Sequence, residues 1–292
     1  MAAKASAASE EPVEVLFALH PNFNLTDFAG PLEALHTAKH DPKDDSTRAF
    51  EITVAAAEPK VISEQGVVIG SQISFKEAYE RLEDFDVLVV VGGGTAPVLK
   101  SGDEPLPLIE AFSELQKKDS ARERTLFSVC TGSLFLAKKG ILSGLSATTH
   151  PDFITTLEIV CSEVARDTLG ERTDVVDDAR YVVNNLRFDL GDEDENPYVR
   201  SKAAADTGAR PPNARKGSMS FSASNKRRES IARRAAMRLG GLRVITSGGV
   251  SAGIDAALYL VSALVSDESA AEVARNMQWT WTKGIVVDGL DV

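Results

Sequence analysis

TLFSVCTGSLFLAKKGIL, residues 125–142, decides how this chain is read. A short apolar run ends on Cys130, and a segment with helical apolar spacing, LFLAKKGIL, starts a few residues behind it. A strand that turns so quickly into a helix is the repeating unit of an α/β protein. The same alternation extends in both directions. VEVLFALH (13–20), FEITVAAA (50–57), DVLVVVGGG (86–94) and LRVITS (242–247) read as strands, several apolar enough for burial on both faces. PLEALHTAKH (31–40), SFKEAYERL (74–82), PLPLIEAFSELQKKD (105–119), DFITTLEIVCSEVARDTL (152–169), the apolar stretch 252–265 and SAAEVARNMQW (269–279) read as helices. The fold class expected is α/β, a mostly parallel sheet with helices on its faces. PNFNLTDFAG (21–30) reads as a turn-rich connection, with Pro31 in the first turn of the following helix and Glu33 stabilising that turn.

Composition narrows the function classes. The net charge of −11 argues against a general nucleic-acid binder, and no apolar run is long enough to span a membrane. The opening MAAKASAASEEPVE lacks the basic start and apolar stretch of a secretory signal, so a cytoplasmic protein is expected. Cys130 and Cys161 are the two cysteines, and neither they nor the four histidines (20, 36, 40, 150) show a metal-ligand spacing. No metal and no cofactor are expected, and the partner is a small-molecule substrate.

Residues 1–12 read as a disordered tail, and residues 13–292 as a single α/β domain interrupted by an insertion at about 186–241. That insertion combines DLGDEDEN, KGSMSFSASN and KRRESIARRAAMRLGG, with 12 basic and 7 acidic residues on an otherwise acidic chain. Ser230 follows paired arginines, the context basic-directed kinases prefer; the alternative is a plain surface loop.

Cys130 itself has two readings. A turn between strand and helix projects a thiol outward, and the free N–H groups of the helix start favour a thiolate. Against this, a free cysteine is among the most buried residue types. The nucleophile-elbow pattern of glycines two positions either side is half met, with Ser128 before and Gly132 after. Cys161 sits at helical spacing with Leu157 and Val164 and reads as core. Loops at the carboxyl ends of parallel strands gather at one crevice, which would bring together Asp27, the Gly92–Gly93–Gly94 run and Cys130. Asp27 alone also suits a helix cap or a surface turn. The glycines are not a phosphate-binding pattern; their use is close backbone approach with an N–H facing the crevice.

Three pieces, DFAGPLEAL (27–35), SVCTGSLFLAKKGILSGLSATTHP (128–151) and TSGGVSAGIDAAL (246–258), resemble the ThiJ/PfpI superfamily of flavodoxin-like proteins, and within it the isonitrile hydratase (isocyanide hydratase) branch. The resemblance covers residues 13–185 and 242 to about 280. It implies a flavodoxin-like, doubly wound sheet with a nucleophile elbow and, as is common among relatives, a homodimer. It makes Cys130 the nucleophile, Asp27 the carboxylate near its sulfur, and the N–H groups of Gly94 and Thr131, with Gly93 beside them, the anion-stabilising donors. His150 would lie near the nucleophile, as a base, a substrate contact or a dimer-interface residue, and Asp255 would be structural. Relatives acting as glyoxalases or deglycases usually carry a glutamate in place of Asp27. Gly92 departs from the family, which often has proline there, and is expected to loosen its loop.

The activity implied is hydration of an isonitrile to an N-substituted formamide through a covalent Cys130 thioimidate, with Asp27 as general acid and base. Two alternatives use the same cysteine: a glyoxalase-III-like or deglycase enzyme acting on methylglyoxal, or an oxidative-stress sensor in which Cys130 becomes sulfenic or sulfinic acid.

Overall fold

Apolar runs and amphipathic stretches alternate along the chain and become strands and helices in the computed structural model, which describes residues 11–185, 199–200 and 238–288. The first part holds β1 (Val13–Leu19), α1 (Leu25–Thr37), β2 (Phe50–Ala56), β3 (Lys60–Ile62), β4 (Val68–Gly70), β5 (Ile73–Ser74) and α2 (Phe75–Glu80). The middle holds β6 (Val87–Val90), α3 (Thr95–Ser101), α4 (Leu106–Lys118), β7 (Thr125–Val129), α5 (Ser133–Lys138), β8 (Ser146–Ala147) and α6 (Ile154–Thr168). β9 (Asp174–Val175), β10 (Tyr181–Asn185), β11 (Val199–Arg200), β12 (Arg243–Ser247), α7 (Ala252–Leu264), α8 (Asp267–Asn276) and β13 (Ile285–Asp288) complete it.

The main sheet runs β11, β13, β10, β12, β7, β6, β1, β2, β5. Every neighbouring pair is parallel except β10 against β12. Counted by their order in the chain, β2, β1, β6, β7 and β12 give the 2-1-3-4-5 arrangement of flavodoxin-like proteins, as the family resemblance implied. Side chains alternate across the pleat, so each central strand feeds two cores. Phe17, Val89, Phe127 and Ile245 face one core with Phe28 and Leu35 of α1 and Leu258 of α7. Leu16, Leu88, Leu126 and Val244 face the other with Phe112 of α4, Phe135 of α5 and Leu157 of α6. Cys161 lies in this second core, the place its helical spacing gave it. Phe17, Phe112, Phe127 and Phe135 are fully buried, each contributing roughly 1.5–3 kcal/mol by removal from water.

The structure corrects the sequence reading at α1. The helix begins at Leu25, six residues before Pro31, because Asn24 caps it: Asn24 Oδ1 accepts from the N–H of Thr26 at 3.0 Å and of Asp27 at 3.3 Å. Asp27 therefore stands on the first turn of a helix, and Glu33 on its third turn, where it cannot stabilise the start. Pro31 sits inside the helix and forfeits one backbone bond. Its ring faces α7, where a Cβ on Gly253 would lie 3.1 Å from Pro31 Cγ.

Most of the tail and of the segment read as an insertion, Ser230 included, falls outside the described residues. Two of that segment's pieces are described. Val199–Arg200 pairs with β13, and Arg238 donates to the carbonyls of Gly140, Ile141 and Ser143. No helix among the described residues is long and apolar enough to cross a membrane, and no group of three or more His, Cys, Asp or Glu among them could hold a metal ion.

Candidate active site

β1 and β6 are neighbours, but the chain leaves them in opposite directions across the sheet, and a crevice opens at their carboxyl ends. The segments that follow β1, β6 and β7 meet there and carry Asp27, Gly92–Gly94 and Cys130.

Cys130 has φ 58°, in the left-handed region, which costs an ordinary L residue roughly 1–2 kcal/mol. The surroundings hold it there. Its carbonyl accepts from Thr149 Oγ1 at 3.0 Å and from Ser133 Oγ at 3.1 Å. Cys130–Gly132 form one tight 3₁₀ turn before α5, and that turn presses so close to β6 that a Cβ on Gly132 would lie 2.7 Å from the Val90 carbonyl oxygen. The glycine after the nucleophile thus has a steric cause, while Ser128, at the other glycine position, is a buried strand residue bonded to the Ile245 carbonyl.

Cys130 is 5% exposed. Burial pushes its pKa well above the usual range, and the Asp27 carboxyl beside it adds to the rise, by its charge and by its hydrogen bond with the thiol. The Thr131 N–H and hydroxyl pull the other way and do not offset it. The sequence expectation of a thiolate favoured by the helix start is therefore corrected: dehydration and a neighbouring acid outweigh the turn's donors.

Asp27 is fully buried, and neither carboxyl oxygen has a hydrogen bond of ordinary geometry among the described residues. Burial raises its pKa from 3.8 to about 7; the Cys130 thiol and the Gly92 N–H draw it down and Glu64 pushes it up. A deeply buried carboxyl is costly when ionised, so this group is poised to change protonation near neutral pH.

Gly92 stands against both partners. A Cβ there would lie 2.6 Å from Thr131 Oγ1 and 2.9 Å from Asp27 Oδ2. The loop is not loosened, as had been expected of a glycine in place of proline. The Gly92 carbonyl accepts from Asn24 N–H at 2.9 Å, and Gly93 N–H donates to Thr131 Oγ1 at 3.0 Å. Gly93 has φ 110°, and a Cβ on it would collide with Asn24 N at 2.4 Å. The Gly94 N–H donates to the Asn22 carbonyl at 2.7 Å. It is therefore committed to the loop after β1, which corrects its expected place beside Thr131 as a free anion donor.

His150 caps a turn through its side chain. Its Nδ1 accepts from Asp152 N–H at 3.2 Å, capping the turn Pro151–Phe153, and its ring packs against Phe153 and so close to Gly249 that a Cβ there would overlap it. Asp255 is buried and structural in its contacts, receiving Arg180, Trp279 and Thr282. Thr149, Ser133, Asn24 and Glu64 were not singled out from the sequence. The TTHP stretch contained the signal for Thr149, a hydroxyl directly before the histidine that drew attention.

The DJ-1/PfpI family model matches residues 13–185. The isonitrile hydratase of Pseudomonas putida is 35% identical over 81 residues, which are 28% of this chain and 32% of that protein, so the match spans about a third of that relative's length. A ThiJ/PfpI family protein from Pseudomonas syringae superposes with a TM-score of 0.54 at 17% identity, covering 94% of this chain and 78% of that one. Drosophila melanogaster DJ-1beta superposes at 0.55 and 18% identity, covering 93% and 100%. At such identities the superpositions speak for the fold. The family match, by contrast, is one of sequence and takes in Asp27, the glycine loop and the Cys130 elbow together: this chain belongs to the DJ-1/PfpI family.

Proposed function

We propose that this chain hydrates an isonitrile, R–N≡C, to the N-substituted formamide, with Cys130 as nucleophile and Asp27 as proton carrier. The observation that carries the reading is the pairing of a buried thiol with a fully buried carboxyl, whose pKa burial pushes up to about 7. The partial likeness to an isonitrile hydratase supports it.

The terminal carbon of an isonitrile takes a nucleophile and a proton at the same atom. A raised thiol pKa means that no standing thiolate attacks; the proton must leave sulfur as the bond forms. Ionised Asp27 takes that proton and passes it to the isonitrile carbon, so S–H adds across one carbon and gives R–N=CH–S–Cys130. Water then adds to this carbon, with Asp27 moving a proton from the water to nitrogen. Collapse expels the sulfur, which regains its proton, and releases R–NH–CHO. The sum is R–N≡C plus H₂O, with the side chains returned to their starting state.

Incubation with an aryl isonitrile and, separately, with methylglyoxal tests the assignment by product. Formamide from the first without lactate from the second is expected, and Cys130→Ala is expected to form no formamide above the uncatalysed rate. Lactate without formamide would move the chain to the glyoxalase-like alternative.

The active form carries one proton on the Asp27–Cys130 pair. That form accumulates as pH rises through the Asp27 value, so kcat/KM should climb with an apparent pKa of about 7 and reach a plateau above it. A profile flat from about pH 5.5 to 8.5 would remove Asp27 from the chemistry.

A further inference from the structure

The hairpin β3–β4 lies outside the main sheet, yet its turn is built onto the start of α1. Ser63 shapes the turn, with its N–H donating to the Val67 carbonyl at 2.9 Å and its Oγ accepting from the Val67 N–H at 3.1 Å. Two backbone bonds fasten the hairpin to the segment after β1: Asn22 N–H to the Ile62 carbonyl at 2.9 Å, and Glu64 N–H to the Phe23 carbonyl at 3.0 Å. Side chains finish the attachment. Glu64 Oε1 accepts from Asn24 Nδ2 at 2.5 Å and from Gln65 Nε2 at 2.9 Å, while Gln65 Oε1 accepts from the Leu25 N–H at 3.0 Å.

The consequence runs through Asn24. Its amide has a donating and an accepting end, and α1 needs the accepting end, because Asn24 Oδ1 caps the N–H groups of Thr26 and Asp27. A carboxylate at Nδ2 fixes that orientation, since only the NH₂ end can donate to it. Three of the four N–H groups that a helix start leaves unpaired are thereby satisfied, and the last of the three belongs to Asp27 itself.

Resting on the assignment of Asp27 as the proton carrier, we propose that Glu64 is the positioning residue of the Asp27–Cys130 pair. It orients Asn24, and so the first turn of α1, and it adds a negative charge on the Asp27 side of the crevice. The titratable groups bearing on Asp27 are Cys130 from the elbow and Glu64 from the hairpin. His20, at the end of β1, also feels Glu64, but burial lowers its pKa and holds it neutral. Asp27 thus has the charge of Glu64 on its side of the crevice, and the hairpin favours its protonated form.

Glu64 is exposed, so its variants are expected to fold, and two of them separate its roles. Glu64→Gln keeps an acceptor for Asn24 and removes the charge; Glu64→Ala removes both. The titration of Asp27, followed by carboxyl ¹³C NMR with Asp27→Asn as the assignment control, should move to lower pH in Glu64→Gln by roughly 0.3–0.7 pH units, the scale of one exposed charge. Raising salt from about 0.05 to 0.5 M should shrink the gap between the two proteins. Alkylation of Cys130 by iodoacetamide, read by peptide mass at pH 9 where Asp27 is ionised in every form, should run at the wild-type rate in Glu64→Gln. It should run about threefold faster in Glu64→Ala, where the carboxylate is no longer held against the sulfur. Coincident Asp27 midpoints in wild type and Glu64→Gln, or equal alkylation rates in Glu64→Gln and Glu64→Ala, overturn the proposal. Neither readout involves an isonitrile. If the shifts appear but no protein makes formamide, the substrate assignment fails while the role of Glu64 stands.

Discussion

Asp27→Asn should lower isonitrile hydration by about 10³-fold, the scale of a lost proton carrier, while Cys130 becomes more reactive and the protein more stable above pH 7. The three effects share one cause, a fully buried carboxyl set against the Cys130 thiol. The asparagine amide cannot take the thiol proton, so the covalent step stalls. The charge and the hydrogen bond of Asp27 both hold the Cys130 pKa up; removing them leaves burial alone, and alkylation by iodoacetamide near pH 8 should quicken. Stability follows from linkage. The Asp27 pKa is raised from 3.8 in the free group to about 7 in the fold. Its contribution is therefore fully present below about pH 4 and is lost as pH rises through about 7. Ionised Asp27 costs the folded state on the order of 4 kcal/mol at pH 8, a burden a neutral asparagine does not carry. Urea denaturation at pH 8 should show the variant more stable than wild type, and the gap should close toward pH 4. A less stable variant at pH 8, or slower alkylation, would mean that Asp27 is solvated or paired in the native protein.

Asp255→Ala should have the opposite effect on stability, a loss of about 3–5 kcal/mol. Asp255 is as deeply buried as Asp27, but its oxygens are satisfied. Oδ2 accepts from Arg180 Nε at 2.7 Å and Nη2 at 2.6 Å, and Oδ1 accepts from Trp279 Nε1 at 2.8 Å and from the Thr282 N–H at 3.0 Å. One carboxylate thus ties α7 to the residue preceding β10 and to the segment leading into β13. Removing it strands a guanidinium, an indole N–H and a backbone N–H, and the remaining donors, more than the lost charge, set the size of the loss. Asp255→Asn, which keeps an acceptor for Oδ1's partners, should lose less. The check is the urea midpoint together with amide exchange around Thr282, which should speed up in Asp255→Ala; unchanged exchange there would show that the network does not hold the segment.

The two aspartates also show where the sequence was legible. The parallel α/β class followed from periodicity because strands buried on both faces leave long apolar runs, as in VEVLF and DVLVVV, while the flavodoxin-like strand order was implied by the family resemblance alone. Cys130 and Asp27 could be brought to one crevice because strand ends in an open parallel sheet meet at one place, while their roles were implied by the resemblance. The start of α1 was missed because Pro31 is a strong helix-start signal, and the Asn24 cap seven residues before it spoke less loudly. The direction of the Cys130 pKa was misjudged because burial, unlike helix position, is a sum over distant elements that no local motif reports. The same holds for the Gly94 N–H, whose partner Asn22 lies 72 residues away. The hairpin β3–β4 escaped notice because its strands are three residues each and flanked by charge, too short for a period-two pattern to register. Glu64, on its turn, was invisible for the same reason.

In the proposed reaction the Cys130 sulfur and a proton add together to the terminal carbon of an isonitrile. Mass spectrometry of the protein quenched in acid during turnover of an aryl isonitrile tests it most directly. A transient species heavier than the free protein by the full mass of the isonitrile is expected, mapped to the peptide carrying Cys130, absent from Cys130→Ala and decaying as formamide accumulates. Formamide production with no such adduct, or production undiminished in Cys130→Ala, would contradict it.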